Sequence, residues 1–153
     1  LAAALEEYKR VSSIENIKTA DAIRQMFIED VKERIYANPF SMDKLNLASK
    51  EVVQVGHFDS NTSIRELTRL VNHEVALFKF VLVAIDSGRR LATFRLNNAY
   101  SPKETVQVKV GDLFQDRFRI VGMGIRSVYL EDTNPKCANR SLVARLMEPV
   151  VAE

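Results

Sequence analysis

Thiol and imidazole chemistry are scarce in this chain of 153 residues: Cys137 is its single cysteine, and His57 and His73 are its only histidines. One cysteine excludes an internal disulfide and a zinc site built from several thiolates, although it does not fix the compartment. A Cys–His catalytic pair would need Cys137 beside one histidine and a third group to orient the base. Cys137 instead follows the polar turn Asn134-Pro135-Lys136, which reads as the place of a partly exposed, unreactive thiol. There is no Gly-x-Ser-x-Gly elbow and no glycine-rich phosphate cradle.

Long apolar runs are missing as well. The best, Val75 to Ile85, is interrupted by Lys79 and falls well short of the roughly 20 residues that cross a bilayer. Neither sign of charge dominates: 22 basic against 20 acidic residues leave a net charge of +2. Such a balance gives no whole-molecule field for nucleic acid or anionic lipid, so any basic stripe has to be local. The chain begins at Leu1 rather than methionine, which suits a processed or partial product that has lost an upstream signal or membrane anchor.

What is present is an ordinary globular balance, 46% hydrophobic and 27% charged. A chain of this length buries about two thirds of its unfolded surface and needs no staple. The pattern predicts an α+β protein: a mainly helical segment over 1–74, then a small antiparallel β-sandwich or partly open barrel over 75–153. Leu1, Leu5 and Tyr8 recur at helical spacing until Ser12 and Ser13 interrupt. Thr19 is placed to cap a second helix whose stripe is Ile23, Phe27, Val31 and Ile35, ended by Asn38-Pro39. That stripe is too apolar for water, so it packs on the β-domain or on another protein. Between Phe40 and Ser60 the period fades, with a short strand expected at Glu51–Val55 and a stop at Gly56. Ser63 and Glu66 have capping-box spacing ahead of a third helix on Ile64, Leu67 and Leu70 or Val71, ending near His73.

After His73 the period shortens to near 2. Val75 to Ile85 is apolar on both faces and reads as a central strand. Asp86-Ser87-Gly88 turns it into a hairpin with Leu91–Leu96. Further strands are expected at Thr105–Val110, Arg117–Met123, Ser127–Glu131 and Ser141–Met147, punctuated by Gly111-Asp112, Gly122, Gly124 and Asn134-Pro135. The expected core is Phe78, Phe80, Val83, Leu96, Val108, Phe118, Val121 and Leu130.

No catalytic residue, cofactor site or metal-ligand set is assigned. His57 reads as a turn residue and His73 as a helix-end cation facing the macrodipole. Asp112 with Asp116, and Glu131 with Asp132, are too few oxygens for Ca²⁺ and read as Asx-turns and solvated strand ends. The positive signal is aromatic and basic residues interleaved on strands: Phe94-Arg95, Arg117-Phe118-Arg119, then Arg126 and Tyr129. Open barrels bind single strands with such pairs. Strand neighbours point to opposite faces, however, so the rings read as core and the arginines as the wet side. Arg95, Arg117, Arg119, Arg126 and Tyr129 are therefore the candidate partner-binding residues.

The run Phe78 to Leu96, then Val106-Gln107-Val108-Lys109-Val110-Gly111-Asp112-Leu113, Phe118-Arg119-Ile120-Val121 and Ser127-Val128-Tyr129-Leu130-Glu131, resembles the periplasmic β-domain of the type IV pilus lipoprotein family PilP. It is similar also to the homology region of type II secretion protein C. The resemblance covers roughly residues 75 to 147 and implies a non-enzymatic adaptor in the periplasm or envelope. Its partners would be other protein subunits, a secretin periplasmic domain and inner-membrane assembly proteins among them, or further copies of itself. A viral or phage structural subunit and a nucleic-acid-binding β-domain stay open as alternatives, with an enzyme behind both.

Overall fold

The computed structural model describes residues 2–12, 17–96 and 104–153. The chain is α+β: among the described residues four α-helices precede two antiparallel sheets that are not closed into a barrel. It divides into two compact units, Leu1–Ile35 with Asp43–Glu74, and Tyr36–Met42 with Val75–Glu153.

In the helical unit, α1 (Ala2–Ser12) and α2 (Ile17–Ile35) form where helical spacing is expected. Tyr8 is buried, its ring edge-on to Phe27 at 5.8 Å and to Phe58 at 5.4 Å. The α2 stripe is buried unevenly: Val31 and Ile35 are inside, whereas Ile23 and Phe27 stay half-exposed. Thr19 lies inside α2 rather than at its cap, and the Leu1 and Ser13 positions fall outside the described residues.

The expected strand at Glu51–Val55 is instead the last third of a helix, α3 (Met42–Gly56). Read over a longer window, Leu45, Ala48, Val52 and Val55 recur at three and four residues, and all four are buried. The fourth helix, α4 (Thr62–Leu77), is capped by Asn61, whose side-chain oxygen accepts from the Ser63 N–H at 2.9 Å, so Ser63 is not the cap. Because α4 continues to Leu77, His73 sits within it and not at its end, and Val75 to Leu77 are helical.

Asp59 organises the connection before α4. Its carboxylate accepts from the Tyr8 hydroxyl at 2.5 Å, Arg24 Nε at 2.8 Å and the Asn61 N–H at 3.0 Å. Burial alone would raise its pKa, but these donors and the Arg24 charge hold it below the ordinary value; burial and the same carboxylate push the Tyr8 hydroxyl up.

The β unit contains β1 (Phe80–Asp86), β2 (Leu91–Leu96) and β3 (Thr105–Val108) in one sheet, order β1-β2-β3. The second sheet holds β4 (Leu113–Phe114), β5 (Phe118–Met123), β6 (Ser127–Asp132), β7 (Ser141–Arg145) and β8 (Val151–Ala152), paired in sequence order. Thus β2, not β1, is central to the first sheet. Single bridges join β1 to the stretch after β7, Leu82 to Leu146 and Val81 to Pro149. Five phenylalanines fill the interior. Phe80 meets Phe94 at 5.3 Å and Phe114 at 5.0 Å, Phe94 stacks on Phe114 at 4.8 Å, and Phe78 meets Phe118 at 5.2 Å.

Of the expected core, Phe78, Phe80, Leu96, Val108, Phe118 and Leu130 are buried. Val83 is half-exposed and Val121 is 46% exposed. Both valines are the residues that the strand register skips, between Leu82 and Ala84 and between Ile120 and Gly122. A bulge residue has no opposite partner and leaves the alternation that buries its neighbours.

Candidate binding surfaces of the β unit

Asp132, expected in an Asx-turn or at a solvated strand end, makes the turn through the Asn134 N–H but is fully buried at the end of β6, where it gathers both nearby arginines. Arg117 Nε donates to Oδ1 at 2.8 Å and Arg117 Nη2 to Oδ2 at 3.1 Å; Arg140 Nε donates to Oδ2 at 3.0 Å. The Asn134 N–H adds a further bond to Oδ1 at 3.0 Å. Burial alone would raise this carboxyl, but the Arg117 bonds, the Asn134 amide and both guanidinium charges hold it below its ordinary value.

The two arginines arrive by the same local route. Gln115 and Asp116 are left-handed (φ 55° and 56°), and Arg117 closes that turn by donating its N–H to Phe114 O at 3.1 Å. Ala138 and Asn139 are left-handed too (φ 50° and 53°), with the Arg140 N–H on Cys137 O at 3.1 Å. These are turns of the kind that join tight hairpins. Arg140 also reaches out of the strand region: Nη1 donates to Ala37 O at 3.0 Å, and its guanidinium lies 5.1 Å from the Phe40 ring and 5.4 Å from Phe78. Phe40 itself stacks on Phe78 at 4.2 Å.

Cys137 lies beside this cluster, fully buried, so the expectation of a partly exposed thiol is corrected. Burial pushes the thiol up to about 11 against the pull of Arg140 and Arg117, which keeps it protonated near neutral pH. His57 is exposed in the turn after α3, where a turn residue is expected, and His73 is exposed within α4. Asp112 accepts from the Lys109 N–H three residues back at 3.0 Å, which closes the turn after β3 without the forward bond of an Asx-turn. Among the described residues no group of three or more metal-ligating side chains converges.

The five candidate partner-binding residues do not form one surface. Arg117 is buried in its ion pair with Asp132, because it closes a turn instead of alternating on a strand, and this corrects its assignment to a docking face. Tyr129 is half-buried on β6 opposite Gly122, where a β-carbon would lie 3.4 Å from its ring. The ring thus covers the gap that the missing side chain leaves. Arg119 is exposed on β5 opposite Leu113 and Glu131, and Arg126 is exposed in the β5–β6 turn. The rings of Phe94 and Phe118, which a nucleic-acid platform would present, are buried.

Arg95 is exposed on β2 directly opposite Thr105 of β3. Among the described residues, no strand pairs with the other side of β3. The Leu96 N–H donates to Glu104 O at 2.7 Å, so that pair faces inward. In an antiparallel ladder bonded and non-bonded pairs alternate. Thr105 and Gln107 therefore turn their N–H and C=O groups away from β2. Sequence alternation alone could not find this edge, since it gives the direction of side chains and not of backbone groups.

No protein-family model, curated protein sequence or solved structure matches this chain.

Proposed function

We propose that the chain is a non-enzymatic protein–protein adaptor, or a structural component, of a multiprotein secretion, pilus or conjugation assembly. The observation that carries the reading is the open side of β3, where Thr105 and Gln107 offer outward backbone donors and acceptors. Such an edge takes an extended partner segment as an added strand, with main-chain bonds supplying affinity. Arg95, one strand inward and exposed, adds preference for an acidic side chain on that segment. The buried charges support the same reading, because Asp132, Arg117 and Arg140 are engaged with one another in holding turns together.

The experiment is titration of the full chain with a purified secretin periplasmic domain, the partner class that the PilP-like strand pattern suggests. Wild type binds, and Gln107→Pro weakens binding at least about tenfold by removing an outward N–H while sparing the β2 ladder. Circular dichroism confirms folding. Unchanged binding by Gln107→Pro, or no binding by wild type, overturns the reading.

A further inference from the structure

Three turns of the β unit meet around a cleft of about 430 Å³ lined by Ile85, Ser87, Arg90, Val110, Met123, Gly124 and Ile125. They are the β1–β2 turn, the β3–β4 turn and the β5–β6 turn. Tight turns ordinarily carry polar residues, yet Ile125 is 85% exposed and Val110 53%. A single exposed apolar side chain needs no explanation, but here they are grouped on the walls of one hollow. Its volume falls in the range of sites that seat small ligands or anchoring side chains.

The rim is basic. Arg90 lines the cleft, and Arg89, Lys109 and Arg126 adjoin lining residues in sequence; all four are exposed. The neighbouring acids are occupied: Asp86 accepts from the Arg89 N–H at 3.1 Å and lies 3.8 Å from its guanidinium, while Asp112 accepts from the Lys109 N–H. Arg90 moreover keeps a left-handed backbone (φ 54°) that glycine or asparagine would adopt with less strain.

We propose that this end of the β unit is a second docking site, which takes a short acidic segment of a partner protein and seats one of its apolar side chains in the cleft. Charge complementarity selects the acidic flanks, and the hollow selects the anchor. The surface includes neither Thr105 nor Gln107 and stands independently of the β3 edge.

The test uses the full chain and a fluorescently labelled peptide with a leucine–phenylalanine pair flanked by glutamates, read by anisotropy. Saturable binding is expected. Ile125→Ser weakens it about tenfold or more, and Arg90→Asn with Arg126→Gln weakens it comparably and flattens its salt dependence. Asparagine at position 90 retains the left-handed backbone, so folding is preserved, as circular dichroism checks. Gln107→Pro leaves peptide binding unchanged, which separates this site from the edge. Three results overturn the proposal: equal binding of a peptide with serine in place of the apolar pair, phosphatidylserine vesicles but not the peptide binding in an Ile125-dependent way, or a dimer by light scattering that Ile125→Ser dissolves while the peptide fails to bind.

Discussion

Both compact units are organised by a buried aspartate set in the same local frame. Asp59 accepts from the N–H of Asn61, and Asn61 in turn accepts from Ser63 at the start of α4. Asp132 accepts from the N–H of Asn134, and Asn134 accepts from Lys136 at the start of a short 3-10 helix, Pro135–Cys137. Each aspartate thus folds its own exit turn, while the next asparagine caps the helix that follows. The difference lies in what the free lone pairs hold. Asp59 joins a neutral phenol and one arginine, with Tyr8 coming from a distant helix. Asp132 sits between two guanidinium groups that are near in sequence, and no part of it reaches solvent. One frame serves tertiary pairing of helices in the first case and locking of adjacent turns in the second.

The contrast is broken most severely at Asp132. Asp132→Ala strands two guanidinium groups in the interior and is expected to cost about 3–5 kcal/mol in chemical denaturation. A loss below about 1 kcal/mol would mean that water reaches both arginines.

Phe40→Ala tests whether the β unit depends on a residue far upstream of its strands. The ring stacks on Phe78 and lies under Arg140, so truncation should cost about 3 kcal/mol, near the low end for buried aromatics. Near-ultraviolet circular dichroism reports the same loss, and an unaltered spectrum would detach this segment from the β unit.

Asp59→Asn should cost less, about 1.5–3 kcal/mol, since the amide keeps one acceptor. Both aspartates are held below their ordinary pKa, so the folded state binds fewer protons than the unfolded chain. Their contribution is whole above the unfolded value, about 3.9, and is lost as pH falls through it toward the folded value. Urea midpoints of wild type should fall below about pH 4, and Asp59→Asn should show a shallower fall. Parallel curves would remove Asp59 from the acid response.

The smallest effect is expected at the exposed histidines. His57→Ala with His73→Ala should shift stability by no more than about 0.5 kcal/mol each and leave partner capture unchanged. Loss of function in that double variant would return imidazole chemistry to the front.

Much of the β unit was legible because alternation survives in Phe80–Leu82, Ala92–Leu96 and Val128–Leu130, where side chains alone decide the face. It failed at Val83 and Val121, since a skipped register position leaves no mark in hydropathy. The β-branched pair in α3 imitated a strand over five residues, and only Leu45 and Ala48 further back reveal the helical period. Of the site, Arg95 was found as a surface cation. Arg117 was misplaced because the left-handed Gln115 and Asp116 carry no glycine to announce the turn that buries it. Asp132 is legible as an Asx-turn residue, but its burial between two arginines is not, as these partners approach through turns.

The placement of residues 36–42 with the β unit gives the chain an interleaved connectivity. Read from the amino end, the molecule begins the helical unit, deposits one strip of the β unit, returns to finish the helices, and only then produces the strands. No single backbone cleavage divides it into its two units. During synthesis Phe40 leaves the ribosome well before Phe78 and Arg140, so the β unit cannot close until most of the chain has been made. A graft of the strands alone onto another protein would lack the strip on which Phe78 stacks, whereas a graft that begins at Tyr36 carries α3 and α4 with it as an insertion.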